Sequence, residues 1–207
     1  YHAVRNAFNY SHLIMLQKLL ENRNLILASQ SPRRSFFLKE LNLEFEIRIK
    51  EVDENYPIHL QGKEISEYLA RLKASPFLGT LNTKDILITA DTIVWLEGRA
   101  LGKPKTRTEA FEMLKSLSGK KHDVISSIAL TTVHKQIIIS DTTQVSFKKL
   151  SDEEIHFYIE TFKPFDKAGS YGIQEWIGYI GIERINGSYF NVMGFPIQKF
   201  YQALHQI

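Results

Sequence analysis

Apolar residues recur at Leu13, Ile14, Leu16, Leu19 and Leu20, a helical spacing that Asn22 to Asn24 interrupts. Leu25 to Ala28 is a short unbroken apolar run of the length expected for a buried strand. Ser31-Pro32 follows, with serine placed as an N-cap and proline at the first helical position, where its missing N–H costs nothing. Phe36, Phe37, Leu38 and Leu41 carry that helix onward, and Phe45 to Ile49 alternates as a strand does. A polar loop from Lys50 to Gly62 precedes a helix marked by Ile65, Tyr68, Leu69 and Leu72.

The middle of the chain repeats this alternation. Ile86 to Thr89 reads as a strand running into Ala90-Asp91-Thr92, and Ile93 to Leu96 continues in β character. Glu97-Gly98 turns the chain and Gly102-Lys103-Pro104 breaks it. Thr106 and Glu109 predict a capping box for a helix ending at Ser118-Gly119, and Ser151 with Glu154 predicts a second. Between them, Val124 to Thr132 and Ile137 to Phe147 pair as a hairpin around His134-Lys135. The last third holds the dense run Asp166 to Ile173, a β segment near Tyr179 to Ile185 and a final helix from about Phe195. Strands alternate with helices early and adjoin later, which predicts an α/β protein with a mixed sheet and flanking helices. Residues 1–22 read as a helical N-terminal extension, packed on the core or on a second subunit. Residues 23–207 read as one catalytic unit of two lobes around a central cleft.

Composition narrows the chemistry. A chain of 207 residues can build one sizeable core or two small lobes. The formal net charge of +3 is too small to point to nucleic acid through bulk electrostatics. The absence of cysteine excludes disulfides, thiolate metal sites and cysteine nucleophiles. No apolar run approaches the roughly 20 residues of a spanning helix, and residues 1–12 show no signal-peptide pattern. The expectation is a cytoplasmic protein with no membrane partner. The seven histidines lack zinc-ligand spacing, and neither a P-loop nor a G-x-S-x-G elbow is present.

Four sets of residues can carry chemistry. Ser29 to Arg34 lies where a strand becomes a helix, and the free N–H groups and dipole of a first helical turn form an anion site. Two arginines there oppose the dipole unless an anion is present, and the arginine fork suits phosphate oxygens. The competing reading is a capping Ser31 beside solvated arginines. Asp91, with Thr92, is placed at the carboxyl end of an apolar strand, where open α/β sheets gather ligands. Its carboxylate can hold Mg²⁺ or accept a proton, or it can bond its own backbone in a turn. Glu54, with Asp53 beside it able to serve instead, Lys73 and Lys103 lie on three separate segments and matter only if they converge. In the run Phe165 to Gln174 small residues permit close backbone approach, and Gln174 offers donor and acceptor together to a base edge, although a compact loop with a local Asp–Lys pair explains the same run.

In order along the chain, these pieces resemble the Maf-like family of nucleotide pyrophosphatases. They are Ser29-Gln30-Ser31-Pro32-Arg33-Arg34, Asp53-Glu54, Leu69-Ala70-Arg71-Leu72-Lys73-Ala74, Ala90-Asp91-Thr92-Ile93-Val94 and Gly102-Lys103-Pro104. Leu117-Ser118-Gly119 with His122-Asp123-Val124, Asp166-Lys167-Ala168-Gly169, and Asn186-Gly187-Ser188-Tyr189 with Asn191-Val192 complete the series. The resemblance implies a Maf/ITPase-like fold and hydrolysis of a nucleoside triphosphate to the monophosphate and pyrophosphate, assisted by Mg²⁺ or Mn²⁺. It makes Asp91 the proton acceptor and Arg33, Thr92 and Gln174 the residues that separate substrate classes. Arg, Thr and Gln together are similar to the branch acting on dTTP and UTP; the branch hydrolysing 7-methyl-GTP typically has Trp where this chain has Arg33. Ser29, Arg34, Lys73 and Lys103 become further substrate-binding residues, and Glu54 with Asp91 the metal ligands. The chain departs from the family pattern at Glu175, where glycine is usual, and at Ser126-Ser127, which replace a Thr-Gly pair. A non-catalytic nucleotide-binding regulator of septum formation is the alternative. Homodimerisation is a further expectation.

Overall fold

The computed structural model describes residue 16 and residues 18–207. Leu16, Lys18 and Leu19 are helical, while Leu13 and Ile14 of the expected N-terminal helix lie outside the described residues. The chain proceeds through β1 (Asn24–Leu27), α1 (Pro32–Glu40), β2 (Glu46–Ile47), α2 (Lys63–Ala74) and a 3₁₀ turn (Ser75–Thr80). Then come β3 (Asp85–Leu96), β4 (Arg99–Leu101), α3 (Arg107–Leu117), β5 (Lys121–Thr131), β6 (Gln136–Phe147) and α4 (Asp152–Phe162). A second 3₁₀ turn (Ala168–Ser170), α5 (Trp176–Gly181), β7 (Ile182–Asn186), α6 (Tyr189–Val192) and α7 (Ile197–Leu204) complete it.

The sheet is mixed, as the order of elements predicts, with strands arranged β2-β1-β3-β5-β6-β7 and β4 beside β3. β1 runs parallel to both β2 and β3, whereas β3, β5, β6 and β7 are successively antiparallel. Two large hydrophobic clusters divide along β3. One gathers Leu27, Phe37, Leu38, Ile86, Ile88, Ala90, Ile128, Phe195 and Phe200, with Leu16 buried among them. The other gathers Val94, Leu96, Leu114, Val145, Phe147, Ile155, Tyr158 and Ile177. Each fully buried Leu or Phe of these clusters contributes on the order of 2 kcal/mol. Asp91 and Thr92 occupy the stretch between Ala90 of the first cluster and Val94 of the second.

The long strand corrects one expectation. Asp91 does not end its strand; it is an interior residue of the continuous twelve-residue β3. The end that matters belongs to β1. Its last rung on β3 pairs Leu27 with Ile88, and Ala28 donates to Ile88 O at 2.9 Å. From there to Val94, where β4 takes up pairing through Leu101, the β1 side of β3 has no neighbouring strand, so Asp91 and Thr92 project beside an open edge while β5 still pairs the other side through Ser127 and Ser126.

Three local patterns also differ. The alternation from Phe45 to Ile49 yields only the two-residue β2. Tyr179 to Gly181 belongs to α5 because its burial repeats every four residues, with Ile177 and Gly181 inside and Tyr179 75% exposed; only from Ile182 does the chain extend. The Ser151–Glu154 capping box forms in full, whereas Glu109 accepts from Lys105 N rather than from the Thr106 backbone. Among the described residues no helix is long and apolar enough to cross a membrane.

Candidate active site

A cleft of about 500 Å³ opens at the vacant edge of β3. Ser29, Arg33, Arg34, Glu54, Lys73, Asp91, Thr92, Lys103 and Gln174 all line it, so residues from six separate segments converge as the sequence reading required. Adjacent residues of a strand face opposite sides of its sheet, yet both Asp91 and Thr92 reach the cleft. Asp91 turns to the α2 side, where Lys73 Nζ lies 2.6 Å from its Oδ1. Thr92 turns to the α6 side, where its hydroxyl is 2.9 Å from Ser126 Oγ, which in turn donates to Asn191 O at 3.0 Å. The strand is met edge-on because β1 has stopped, and the cleft takes one residue from each face.

Arg34 takes the place of β1 along that edge. Its Nη1 donates to Ala90 O at 2.9 Å and to Ser29 Oγ at 3.2 Å, its Nε to Gly194 O at 3.2 Å, and its Nη2 to Thr92 Oγ1 at 3.4 Å. Four of the five guanidinium donors therefore hold the site together, leaving one N–H for a ligand. Burial lowers the Arg34 pKa, against the opposing pull of the Asp91 carboxylate. Ser31 occupies the N-cap position of α1, but its hydroxyl makes no cap; Ser29 Oγ instead accepts from Ser31 N at 3.2 Å. The arginines that oppose the α1 dipole are thus compensated by acceptors from outside the helix.

Arg33 faces the other wall. Its Nη1 meets Asp166 Oδ2 at 2.9 Å and its Nε donates to Met193 O at 3.2 Å. The segment carrying Asp166 is fastened to the Lys103 loop by Gly169, whose N–H donates to Gly102 O at 3.0 Å. Gly169 has φ +67°, and a Cβ there would lie 2.6 Å from Val94, so no other residue fits. Lys103 itself is exposed and has no protein partner among the described residues. Gln174 Oε1 is buried without a hydrogen-bond partner among the described residues, an acceptor left for whatever enters the cleft.

Asp91 is the buried acid of the site. Desolvation raises its pKa above the ordinary carboxylate value, while the Lys73 ammonium and Arg34 work to lower it. Lys73 also lies 3.1 Å from Glu54 Oε2, so one ammonium bridges two carboxylates. Asp91 Oδ2 and Glu54 Oε1 have no protein donor among the described residues. No cluster of three or more His, Cys, Asp or Glu positioned for a metal occurs among those residues. Two carboxylates fit a Mg²⁺-type ion, which keeps several waters and takes its remaining oxygens from substrate phosphates.

Some contributors lie beyond the reach of spacing. The carbonyls of Met193 and Gly194 anchor both arginines, and Ser126 with Asn191 holds Thr92. Behind the site, His122 Nε2 is 2.7 Å from Tyr171 OH, and burial lowers the His122 pKa to about 4. The only sequence signal for the two carbonyls is the turn-forming Gly194-Phe195-Pro196.

A family model described as Maf-like protein matches residues 24–207. The dTTP/UTP pyrophosphatase of Flavobacterium psychrophilum is 57% identical over 190 residues, 92% of this chain and 97% of the relative. Those of Flavobacterium johnsoniae and Bacteroides fragilis are 51% and 50% identical, covering 92% and 91% of this chain and 98% of each relative. Among solved structures, the Staphylococcus aureus Ham1 protein is similar with a TM-score of 0.43 and 14% identity, over 60% of this chain and 72% of that one. With the family model and these relatives spanning nearly the whole chain, the protein belongs to the Maf-like family.

Proposed function

We propose that this protein hydrolyses dTTP and UTP to the corresponding monophosphate and pyrophosphate. The observation that carries this reading is the Asp91–Lys73–Glu54 bridge, which runs from the floor to the rim of a cleft whose walls hold Arg33 and Lys103. Relatives about half identical over nine-tenths of the chain, each a dTTP/UTP pyrophosphatase by name, support the same activity.

The chemistry follows from what each side chain can do. Asp91 Oδ2 accepts a proton from a water; the oxygen of that water bonds to the α-phosphorus as the bond from that phosphorus to the bridging oxygen breaks. Pyrophosphate leaves with the bridging oxygen. Burial, which raises the Asp91 pKa, makes its carboxylate a stronger base than an exposed one. Lys73 holds the Asp91 carboxylate in one orientation and favours its ionised form against burial. Arg33 and Lys103 bind the triphosphate oxygens, with the last N–H of Arg34 assisting, and Lys73 is within reach as an additional cation. Glu54 and Asp91 would hold Mg²⁺ or Mn²⁺ directly or through water, and the ion when bound neutralises phosphate charge. Most of the barrier reduction comes from positioning and from electrostatic stabilisation of the leaving group. Arg33, Thr92 and Gln174 separate substrate classes, and the unpartnered Gln174 Oε1 is the acceptor available to the base. The proposal carries with it a cytoplasmic location, where such triphosphates are made and used.

The test is pyrophosphate release from a panel of dTTP, UTP, CTP, purine triphosphates and 7-methyl-GTP, with Mg²⁺ or Mn²⁺ present. Preferential release from dTTP and UTP is the expected result. Binding of dTTP without release would instead make the protein a nucleotide-binding regulator, and release from 7-methyl-GTP above that from dTTP would overturn the specificity.

A further inference from the structure

Glu175 sits directly after Gln174, at the N-cap of α5, without capping that helix. Its side chain turns back instead. Glu175 Oε1 lies 3.0 Å from Lys167 Nζ, and Glu175 Oε2 accepts from Tyr158 OH. Lys167 is nearly buried and reaches Asp166 Oδ1 at 2.7 Å with the same ammonium. Asp166 Oδ2 then meets Arg33 Nη1 at 2.9 Å. Four charges of alternating sign, Glu175, Lys167, Asp166 and Arg33, therefore run from the base of α5 to the cleft wall.

The same carboxylate also fixes backbone. Tyr158, fully buried on α4, accepts from Gly172 N at 3.0 Å while donating to Glu175. A Cβ on Gly172 would stand 2.9 Å from Glu175 Cδ and 3.0 Å from Lys167 Cε, so the chain carrying Gln174 lies directly on the ion pair. Arg33 is held at Nη1 and Nε, and its Nη2 has no protein partner among the described residues. A guanidinium pinned on two sides loses less freedom when it takes up a ligand, and that saving appears as affinity.

We propose that Glu175 is a positioning residue which, through Lys167 and Asp166, sets the guanidinium of Arg33 for nucleotide binding. It touches neither substrate nor reacting atoms; its effect is on affinity for the nucleotide and not on the chemical step. The proposal rests on the pyrophosphatase reading above, and its test separates the two.

Glu175→Gln keeps the volume and an acceptor for Tyr158 and removes the charge that holds Lys167. In this variant KM for dTTP and UTP rises about tenfold while kcat stays within about twofold. In an Arg33→Ala background the same substitution changes KM by less than about twofold, because the relay then ends on nothing. An unchanged KM in the single variant, or an equal rise in both backgrounds, overturns the proposal. If Glu175→Gln does not fold, Asp166→Asn cuts the relay at its exposed end and is expected to give the same KM rise and the same dependence on Arg33. Dissociation constants for a non-hydrolysable dTTP analogue, measured on the same proteins, follow KM. Wild-type protein that binds this analogue but releases no pyrophosphate from dTTP defeats the enzymatic reading and leaves the relay to be judged on the binding ratios alone.

Discussion

The floor of the cleft and its rim are built on opposite terms. On the floor, Asp91 is 6% exposed, Ser29 is buried, and Thr92 and Arg34 spend nearly all their hydrogen-bonding capacity on protein partners. At the rim, the Glu54 side chain is 49% exposed and Lys103 has no protein partner among the described residues. The floor stores geometry: its side chains are oriented before any ligand arrives, by a sheet that cannot shift without breaking its core. The rim stores charge, on side chains with room to adapt to a triphosphate that brings its own. A residue of the floor is thus expected to affect turnover or folding, and a residue of the rim to affect affinity.

Substitutions can break that contrast, beginning with the strongest. Asp91→Asn leaves shape and burial intact and removes the base, so kcat for dTTP falls by about 10²-fold or more. Near-normal steady-state turnover would take Asp91 out of the role. Arg34→Met strands the carbonyls of Ala90 and Gly194 at the vacant strand edge; denaturant unfolding should show a loss on the order of 3 kcal/mol. A loss under about 0.5 kcal/mol would mean that the clamp is not structural. Lys103→Ala belongs to the rim, with a rise of about tenfold in KM, equivalent to about 1.4 kcal/mol, and an unfolding midpoint close to that of the parent. A large fall in stability for this variant would erase the distinction between the two regions. The subtlest test is the pH profile. Asp91 must be ionised to act, and its pKa is raised, so kcat is lost as pH falls through a limb above the ordinary carboxylate range. The Lys73 ammonium lowers that pKa, so Lys73→Met moves the limb to higher pH. A limb that stays in place would separate Lys73 from the base.

Much of this was legible in the chain before any coordinates. The alternation of apolar runs with helical stripes predicts the mixed sheet, and Ser29 to Arg34, Asp91 and Gln174 all fall in the cleft. Proximity was not legible. Glu54, Lys73 and Lys103 come from a loop, a helix and a turn, and only the closing of β1 and α2 over β3 brings Lys73 between two carboxylates. Strand ends were misread for a related reason. Nothing in Ile86 to Leu96 marks where a neighbouring strand stops, because that is decided by Leu27 and Ala28, some sixty residues earlier. The Tyr179 segment was misread because apolar residues at short range satisfy a period of two and a period of four almost equally. Only the burial of Ile177 with Gly181 decides between them.

The interior placement of Asp91 in β3 limits how this protein can change length during evolution. Side chains alternate faces along a strand, so a one-residue insertion or deletion ahead of Ala90 would exchange the two sides that Asp91 and Thr92 now occupy. The carboxylate would then face Ser126 and Asn191, and the hydroxyl would face Lys73. The part of the polar loop after Glu54, up to Gly62, and the turn at His134-Lys135 carry no such constraint and can absorb added or lost residues. Variation in length among functional descendants of this chain should therefore collect in those loops, while the strand that carries the base passes on as a block of fixed register.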